Sequence, residues 1–247
     1  KACVIGGADA TSNVLAGETF RIPVSGTQAH SWVQSFEDEL TAFRKYAEML
    51  PDKTILLVDT YDTLNSGIPN AIKVAKEMEA KGHKLNGIRL DSGDLYYFSR
   101  KARRMLDDAG LDYVKIIVSN QLDEYLIRSL NQQGAPIDGF GVGTNLIIGR
   151  GAGALDGVYK LSMIAGTPKM KISENLEKTT LPGKKKIVRT YDEEGLFYAD
   201  AVVLQDEETA NRIVHPHIPW KHTNLSSCRQ EILTQKVMEE GTKRVPS

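Results

Sequence analysis

The sequence predicts an α/β fold: an irregular or incomplete barrel of alternating strands and helices, with an antiparallel β lobe beside it. Two observations predict this. Short aliphatic and β-branched runs alternate with amphipathic stretches through the first 150 or so positions, and after about residue 158 strand-like segments follow one another without helices. Strands that are apolar throughout are buried on both faces, as in a parallel sheet covered by helices.

A barrel and a doubly wound sheet both fit this alternation. We favour the barrel because of the residues that directly follow the strands, since the carboxyl ends of barrel strands gather such residues into one mouth. These residues are Asp59, Asp91, Ser119 and Gly143.

The first part of the chain, residues 1–157, is the predicted barrel portion. Its predicted strands lie at 4–5, 22–24, 55–58, 88–90, 116–118 and 139–142. Its predicted helices, where apolar residues recur at intervals of three and four, lie at 36–50, 68–78, 95–109 and 122–130. Each helix then presents one apolar face to the sheet.

The rest of the chain divides into two further predicted regions. Residues 158–205 form an antiparallel lobe, and residues 206–247 form a C-terminal extension with a surface helix at 230–240. The lobe contains strands at 158–163, 169–172, 186–191 and 197–203, and residues 192–195 form a hairpin turn.

Charge and composition exclude several classes of function. The 247 residues include 31 Lys and Arg and 32 Asp and Glu, so the formal net charge is −1. Bulk electrostatic binding to nucleic acid or to an anionic membrane is therefore not expected. No apolar run approaches the roughly 20 residues of a membrane span. Two cysteines form no disulfide framework, which suits the reducing cytoplasm.

The first candidate site is the segment 23–31, at a predicted strand-to-helix corner. It contains the hydroxyls of Ser25 and Thr27 and the imidazole of His30. Backbone N–H groups at a helix start favour anions, and the imidazole could act as a base or as a phosphoryl acceptor. In the alternative, Ser25 or Thr27 caps the helix and His30 packs on its first turn.

The second candidate site is the segment 87–94. Alternation along the strand places Arg89 and Asp91 on the same side, which in a barrel faces the interior and its mouth. A guanidinium fits a carboxylate or phosphate, and a carboxylate accepts from sugar hydroxyls or holds hydrated Mg²⁺. The alternative is an internal ion pair, with Asp94 as a helix cap.

The third candidate site is the glycine-rich segment 138–145. Glycines at alternate positions leave one face of the strand bare, so Gly141, Gly143 and the Thr144 hydroxyl could cradle a phosphate. The alternative is a tight strand followed by a turn. Ser119 and Asn120 end the preceding strand and either cap a helix or touch a sugar phosphate, and we expect Asp59 and Asp62 to be caps. No paired spacing supports a zinc site among His215, His217, His222 and Cys228.

Several segments in combination closely resemble nicotinate phosphoribosyltransferases. They are 5–9, 11–17, 23–32, 89–94 and 140–146. The resemblance implies an irregular barrel of the type II phosphoribosyltransferase kind, packed against a second, partly β domain. It also implies a reaction in which nicotinate and phosphoribosyl pyrophosphate give nicotinate mononucleotide and pyrophosphate, with ATP hydrolysis coupled through a phosphohistidine.

The resemblance also implies roles for particular residues. His30 corresponds to the phosphorylated histidine, Thr27 to a nicotinate contact, Arg89 to a residue over base and ribose, and Asp91 to a ribose contact. The 5-phosphate of the phosphoribosyl group is held, by the same correspondence, by Gly141, Gly143 and Thr144. The same pocket is lined by Ser119 and Asn120. Mg²⁺ is expected to enter with phosphoribosyl pyrophosphate and ATP.

The family's N-terminal half has no counterpart in this sequence, so we expect that half, or a separate complementary chain, to complete the site, and we expect a homodimer. Two alternatives remain open. One is a related phosphoribosyltransferase for nicotinamide or quinolinate. The other is an inactive fragment that serves as a structural or interaction module.

Overall fold

The structure is a computed structural model that describes residues 1–148, 153–155, 157, 159–170, 180–215 and 218–244, apart from the side chain of Pro219. The described residues fall into two compact units, one up to residue 160 and the other from residue 161 onward. Within these ranges no helix is long and apolar enough to cross a membrane.

A four-stranded parallel sheet forms the centre of the first unit. Its strands are β1 (Ile55–Leu57), β2 (Gly87–Leu90), β3 (Lys115–Val118) and β4 (Gly139–Phe140), and each pairs with the next in chain order. The predicted parallel α/β arrangement is confirmed. In a barrel, each strand pairs with the next strand in the chain, as it does here. In a doubly wound sheet, the spatial order of the strands reverses at a switch point.

Eight helices belong to the described part of the first unit. They are α1 (Ala2–Ile5), α2 (Val14–Phe20), α3 (His30–Gln34), α4 (Glu39–Met49), α5 (Ile68–Glu79), α6 (Leu95–Asp108), α7 (Glu124–Gln132) and α8 (Thr144–Ile148), with a π-helical turn at Thr63–Gly67. Aspartate side chains accept from first-turn N–H groups at four of these starts: Asp38, Asp62, Asp94 and Asp123. The caps predicted at Asp62 and Asp94 are confirmed.

The two strands predicted nearest the N-terminus are wrong. Residues 4–5 belong to helix α1, and Ile5 is 84% exposed rather than buried in a sheet. Residues 22–24 contribute a single parallel bridge between Thr11 and Val24. Two or three β-branched residues are too few to distinguish a strand from a helical turn.

The core of the first unit lies between the sheet and helices α4 to α6. Phe43, Leu56, Ile88, Leu106 and Ile116 are fully buried within it. Burying an aliphatic or aromatic side chain of this size contributes about 2 kcal/mol. This packing fixes the directions in which the carboxyl ends of the strands point.

Glycine is required at residue 67, where the π-helical turn meets the end of β1. A Cβ built on Gly67 would lie 1.8 Å from the Val58 carbonyl oxygen. We therefore expect Gly67→Ala to lower the free energy of unfolding by about 1–3 kcal/mol, because the backbone must separate to admit the methyl group.

The measurement for this prediction is urea unfolding of the Gly67→Ala variant. Gly6→Ala is the matched control, since its φ is −77° and its Cβ would meet nothing closer than the Cys3 carbonyl oxygen at 3.4 Å. Equal unfolding midpoints for the two variants would show that residue 67 tolerates a side chain.

The second unit is built of antiparallel strands. Its three-stranded sheet has the order β11 (Arg229–Ile232), β7 (Lys185–Tyr191), β8 (Phe197–Leu204). The remaining strands form two-stranded pairs: β5 (Met163–Ile164) with β6 (Thr167–Pro168), β9 (Arg212–His215) with β10 (Ile218–Asn224), and β12 (Met238–Glu239) with β13 (Thr242–Lys243). The predicted strands at 186–191 and 197–203 are confirmed, as is the turn between them, where the Gly195 N–H donates to the Asp192 carbonyl.

Other predictions for this unit differ from the structure. The surface helix at 230–240 is wrong, because residues 229–232 pair with β7 and the Gln230 side chain bonds the backbone N–H and C=O of Ala210. Hydrogen bonding to the free edge of a sheet is thus favoured here over helix formation by a short segment with helical spacing. Of the described residues in the strand predicted at 158–163, which are 159–163, only Met163 is in a strand. Residues 169–170 are not in a strand, and residues 158, 171 and 172 lie outside the described part of the chain.

Candidate active site

Polar residues meet at the carboxyl edge of the parallel sheet. Asp59 follows β1, Asp91 follows β2, Ser119 follows β3 and Gly141 follows β4. The strands run parallel and in register, so residues just past their ends lie side by side. Elements distant in sequence thereby form one cluster.

Arg89 is the centre of this cluster. Its Nη1 donates to Thr27 Oγ1 at 2.6 Å, its Nε to Ser119 Oγ at 2.9 Å, and its Nη2 to Asp91 Oδ1 at 3.1 Å. The Ser119 hydroxyl donates in turn to the same Asp91 oxygen. The structure thus brings together four of the predicted site residues. It also contains the Arg89–Asp91 ion pair that was considered as a structural alternative, with both side chains about one quarter exposed.

His30 is the first residue of helix α3 and lies beside the same carboxylate. Its Nδ1 is 3.0 Å from Thr60 Oγ1. Its Nε2 is 3.6 Å from Asp91 Oδ2 and 4.0 Å from Asp59 Oδ1. Nε2 is buried and has no hydrogen-bond partner within the described residues. The ring is thus held on one side by a hydroxyl and faces two carboxylates on the other.

Asp59 is a site residue that sequence reasoning took for a cap. The cap of the following turn is Asp62, whereas Asp59 Oδ2 accepts from the Asp91 backbone N–H at 2.8 Å and from the Ser92 hydroxyl at 2.5 Å. Asp59 Oδ1 is buried and has no hydrogen-bond partner in the described ranges. The available signal was a buried aliphatic strand that runs directly into an acidic residue.

The electrostatics of the cluster keep Asp91 ionised. Burial raises the pKa of its carboxyl, but His30, the Ser119 hydroxyl and the Arg89 guanidinium together outweigh burial and hold the pKa well below its usual range. A carboxylate at the site is therefore charged at neutral pH. Such a charge stabilises positive charge that develops nearby.

The glycine-rich loop adjoins this cluster through Ser119. A Cβ on Gly141 would lie 3.3 Å from the Ser119 Cβ, whereas one on Gly143 would meet open space. Thr144 begins the short helix α8. The next residue, Asn145, donates from Nδ2 to the carbonyls of Gln121 and Leu122, and so ties this loop to the one after β3.

The loop after β3 is conformationally unusual. Asn120 and Gln121 have φ values of 92° and 49°, in the left-handed region that non-glycine residues seldom occupy. Strained backbone of this kind is concentrated at ligand sites. The backbone conformation therefore supports the loop as a candidate site segment.

The structure gives no support to a zinc site. Among the residues that it describes, no group of three or more His, Cys, Asp or Glu side chains is arranged to hold a metal ion. Of the four residues considered for zinc, His217 lies outside the described ranges.

Comparisons with known proteins agree with this architecture. Two protein-family models match the sequence. The model of the nicotinate phosphoribosyltransferase family matches residues 6–214, and the model of the nicotinate phosphoribosyltransferase C-terminal domain matches residues 184–247. A nicotinate phosphoribosyltransferase of Bacillus subtilis (strain 168) is 52% identical over 98% of this chain and 51% of its own length. One of Dictyostelium discoideum is 36% identical over 98% of the chain and 51% of its own length.

The crystal structure of human nicotinic acid phosphoribosyltransferase is similar in fold, with a TM-score of 0.53 and 28% sequence identity. It aligns with 98% of this chain and 56% of the human one. This likeness supports the type II phosphoribosyltransferase fold that the resemblance implied. The chain spans about half the length of the curated relatives it matches. On the extent of these matches, the chain belongs to the nicotinate phosphoribosyltransferase family.

Proposed function

We propose that this chain carries the barrel half of the active site of a nicotinate phosphoribosyltransferase. The reaction joins nicotinate to phosphoribosyl pyrophosphate, forms nicotinate mononucleotide and pyrophosphate, and is coupled to ATP hydrolysis through His30. The observation that carries the proposal is the placement of His30 Nε2 between the carboxylates of Asp59 and Asp91, beside the fixed guanidinium of Arg89.

Arg89, Thr27 and Asp91 are suited to bind the base and the ribose. The guanidinium donates to three different side chains, so its plane is fixed before substrate binds. A fixed cation with the Thr27 hydroxyl beside it attracts the carboxylate of nicotinate, and Asp91 can accept from ribose hydroxyls. Transfer at the anomeric carbon develops oxocarbenium character, which the ionised Asp91 stabilises electrostatically.

His30 is suited to accept a phosphoryl group. In that step the terminal phosphoryl of ATP forms a bond to an imidazole nitrogen as its bond to ADP breaks, and hydrolysis later releases phosphate. A phosphoryl group on Nε2 would face two carboxylates within about 4 Å of that nitrogen. The repulsion among these charges favours later loss of the group and offers a way to couple ATP use to the transfer reaction.

Mg²⁺ fits the oxygen atoms that face His30. Asp59 Oδ1 is buried without a hydrogen-bond partner in the described ranges, and Asp91 Oδ2 is 3.6 Å from the same imidazole nitrogen, His30 Nε2. Mg²⁺ is usually held by one or two carboxylates together with substrate phosphates, so these two residues would hold it. When bound, the ion would offset the charge of the departing pyrophosphate.

The remaining predicted residues suit the phosphate of the ribose. Gly141 lies against Ser119, Gly143 faces open space, and Thr144 follows with a hydroxyl. We propose that these residues receive the 5-phosphate and that Ser119 and Asn120 line the same pocket.

The rest of the enzyme is supplied by residues outside this chain. Because the chain spans about half of its relatives, we propose that an N-terminal half, on the same or a separate polypeptide, supplies the aromatic and cationic contacts to the base. We further propose a homodimer and a cytoplasmic location.

The test is nucleotide formation by the chain alone and together with that N-terminal half. Nicotinate, nicotinamide and quinolinate are each supplied with phosphoribosyl pyrophosphate, Mg²⁺ and ATP, and products are separated by chromatography. We expect nicotinate mononucleotide as the main product of the combined halves, because a cationic Arg89 prefers a carboxylate to an amide.

Preference for nicotinamide or quinolinate would reassign the base. No nucleotide from any base, with both halves folded and combined, would favour the inactive structural module.

A further inference from the structure

We propose that Glu39 is a positioning residue for the active site. Through Ser66 and Asn70 it holds the segment that follows β1 so that Asp59 and Thr60 face His30. The catalytic meaning of this proposal rests on the proposed function, whereas the geometry that supports it does not.

Glu39 is buried where a charged residue is unusual. It is the first residue of helix α4 and is 4% exposed. Its Oε2 accepts from Ser66 Oγ at 2.6 Å and from Asn70 Nδ2 at 2.9 Å, and Asn70 Nδ2 also donates to Ser66 Oγ at 3.2 Å. Its Oε1 is buried without a hydrogen-bond partner in the part of the chain that is described. A half-satisfied buried carboxylate is costly and calls for a compensating role.

Helix capping does not account for Glu39. The start of α4 is already capped by Asp38, whose Oδ1 accepts from the Thr41 N–H at 2.8 Å. An acidic residue in the first turn can stabilise a helix from the surface, without being buried. The partners of Glu39 lie instead 27 and 31 residues further along the chain.

These partners belong to the segment that carries Asp59 and Thr60. Ser66 lies in the π-helical turn and Asn70 in the first turn of α5. Two contacts define the path of this segment: Gly67 packs on the Val58 carbonyl, and Asp62 Oδ1 accepts from the N–H groups of Leu64 and Asn65. Isolated π-helical turns occur frequently at functional sites.

Two contacts therefore join the same two stretches of chain. At one end, His30 Nδ1 is 3.0 Å from Thr60 Oγ1; at the other, Glu39 bonds Ser66 and Asn70. Because His30 and Glu39 begin successive helices, the Glu39 contact fixes the register of the loop against the helix that carries His30. Loss of that contact lets Asp59 and Thr60 shift relative to the imidazole.

Neighbouring groups shift the pKa of the Glu39 carboxyl upward. Burial raises the pKa of its carboxyl, the hydrogen bonds from Ser66 and Asn70 lower it, and the charges of Asp59 and Asp62 raise it further, with a net shift upward. Glu39→Gln removes this charge. Its amide oxygen can still accept from both Ser66 and Asn70, so it separates the effect of the bonds from that of the charge.

The experiment compares Glu39→Gln, Glu39→Ala and Ser66→Ala with the control Glu48→Ala, which alters an exposed glutamate of the same helix. The direct measurement is NMR of isotope-labelled histidine in the chain without substrates, which reports the tautomer and the surroundings of the His30 ring. We expect Glu39→Ala and Ser66→Ala to move the His30 signals and Glu39→Gln and Glu48→Ala to leave them in place.

The second measurement is nucleotide formation by the completed enzyme. We expect Glu39→Ala to lower kcat by roughly 10-fold to 100-fold through misplacement of the reacting groups, with less change in KM for nicotinate, and we expect Glu39→Gln to restore kcat. If Glu39→Ala fails to fold, Ser66→Ala decides the outcome, because it removes one bond and leaves no buried cavity of comparable size.

Unchanged His30 signals in a folded Glu39→Ala or Ser66→Ala variant would overturn the proposal, as would a Glu39→Gln variant as impaired as Glu39→Ala. The NMR result does not depend on which base the enzyme uses. A failure of the proposed function would therefore appear as absent nucleotide formation in the unaltered protein, while the His30 signals still decide the role of Glu39.

Discussion

Replacement of His30 by Ala is expected to abolish the stimulation of nucleotide formation by ATP in the completed enzyme. The imidazole is the group that accepts phosphoryl in the proposed mechanism, and its Nε2 lies within about 4 Å of the carboxylates of Asp59 and Asp91. We expect kcat with ATP to fall by roughly 10²-fold to 10⁴-fold, the range over which a positioned catalytic side chain contributes. Steady-state assays with and without ATP measure this.

The matched control is His83→Ala. His83 also contacts an aspartate, with Nδ1 3.0 Å from Asp52 Oδ1, but it is partly exposed and lies outside the active-site cluster. We expect its activity to equal that of the unaltered protein. A His30→Ala enzyme that is still fully stimulated by ATP would refute the role of the imidazole.

Replacement of Arg89 is expected to have an effect of similar size on substrate use. Arg89→Ala removes three hydrogen bonds at once and leaves Asp91 without its cation. We expect kcat/KM for nicotinate to fall by roughly 10²-fold to 10³-fold, as when a preorganised donor is removed. Arg89→Lys should recover little, because an ammonium group cannot reproduce the planar set of three bonds.

The control for the two Arg89 variants is Arg44→Lys. Arg44 also donates through Nε and Nη2 to one carboxylate, that of Glu77, but on the surface of helices α4 and α5. Surface ion pairs contribute less than about 1 kcal/mol, so we expect no loss of activity. If Arg89→Lys is as active as Arg44→Lys, the fixed guanidinium is not needed for substrate binding.

Loss of the Arg89 guanidinium is also expected to change how the stability of the fold depends on pH. The pKa of Asp91 lies below its ordinary value, so its ionised form stabilises the fold at neutral pH, and this stabilisation is lost as the pH falls towards the native pKa. Without the guanidinium the pKa of Asp91 rises towards its ordinary value, and part of that stabilisation is lost already at neutral pH.

The parallel half of the fold could be predicted from sequence because its signals are local and repeated. Buried strands at 55–58, 88–90 and 116–118 alternate with helices whose apolar residues recur at helical spacing, and the structure contains these elements within a few residues of the predicted bounds. Where the signal was two or three residues long, as at 4–5, or where a free sheet edge competed with a helical pattern, as at 230–240, the prediction was wrong.

Some residues of the candidate site could likewise be predicted from local sequence, and others could not. Arg89 and Asp91 could be placed together because their relation is set by one strand. Asp59 and Thr60 acquire their roles only when the chain brings them against His30, about thirty residues away. The burial of Glu39 is not evident from the sequence, because its partners Ser66 and Asn70 lie 27 and 31 residues away.

The most direct test of the account is phosphoryl labelling of the completed enzyme with ATP labelled at its terminal phosphate. We predict one label on His30 that is lost in acid and kept in base, as a phosphoramidate is, present in His83→Ala and absent in His30→Ala. No label in an enzyme that forms nucleotide, or equal labelling of His30→Ala, would contradict the proposed coupling of ATP through this histidine.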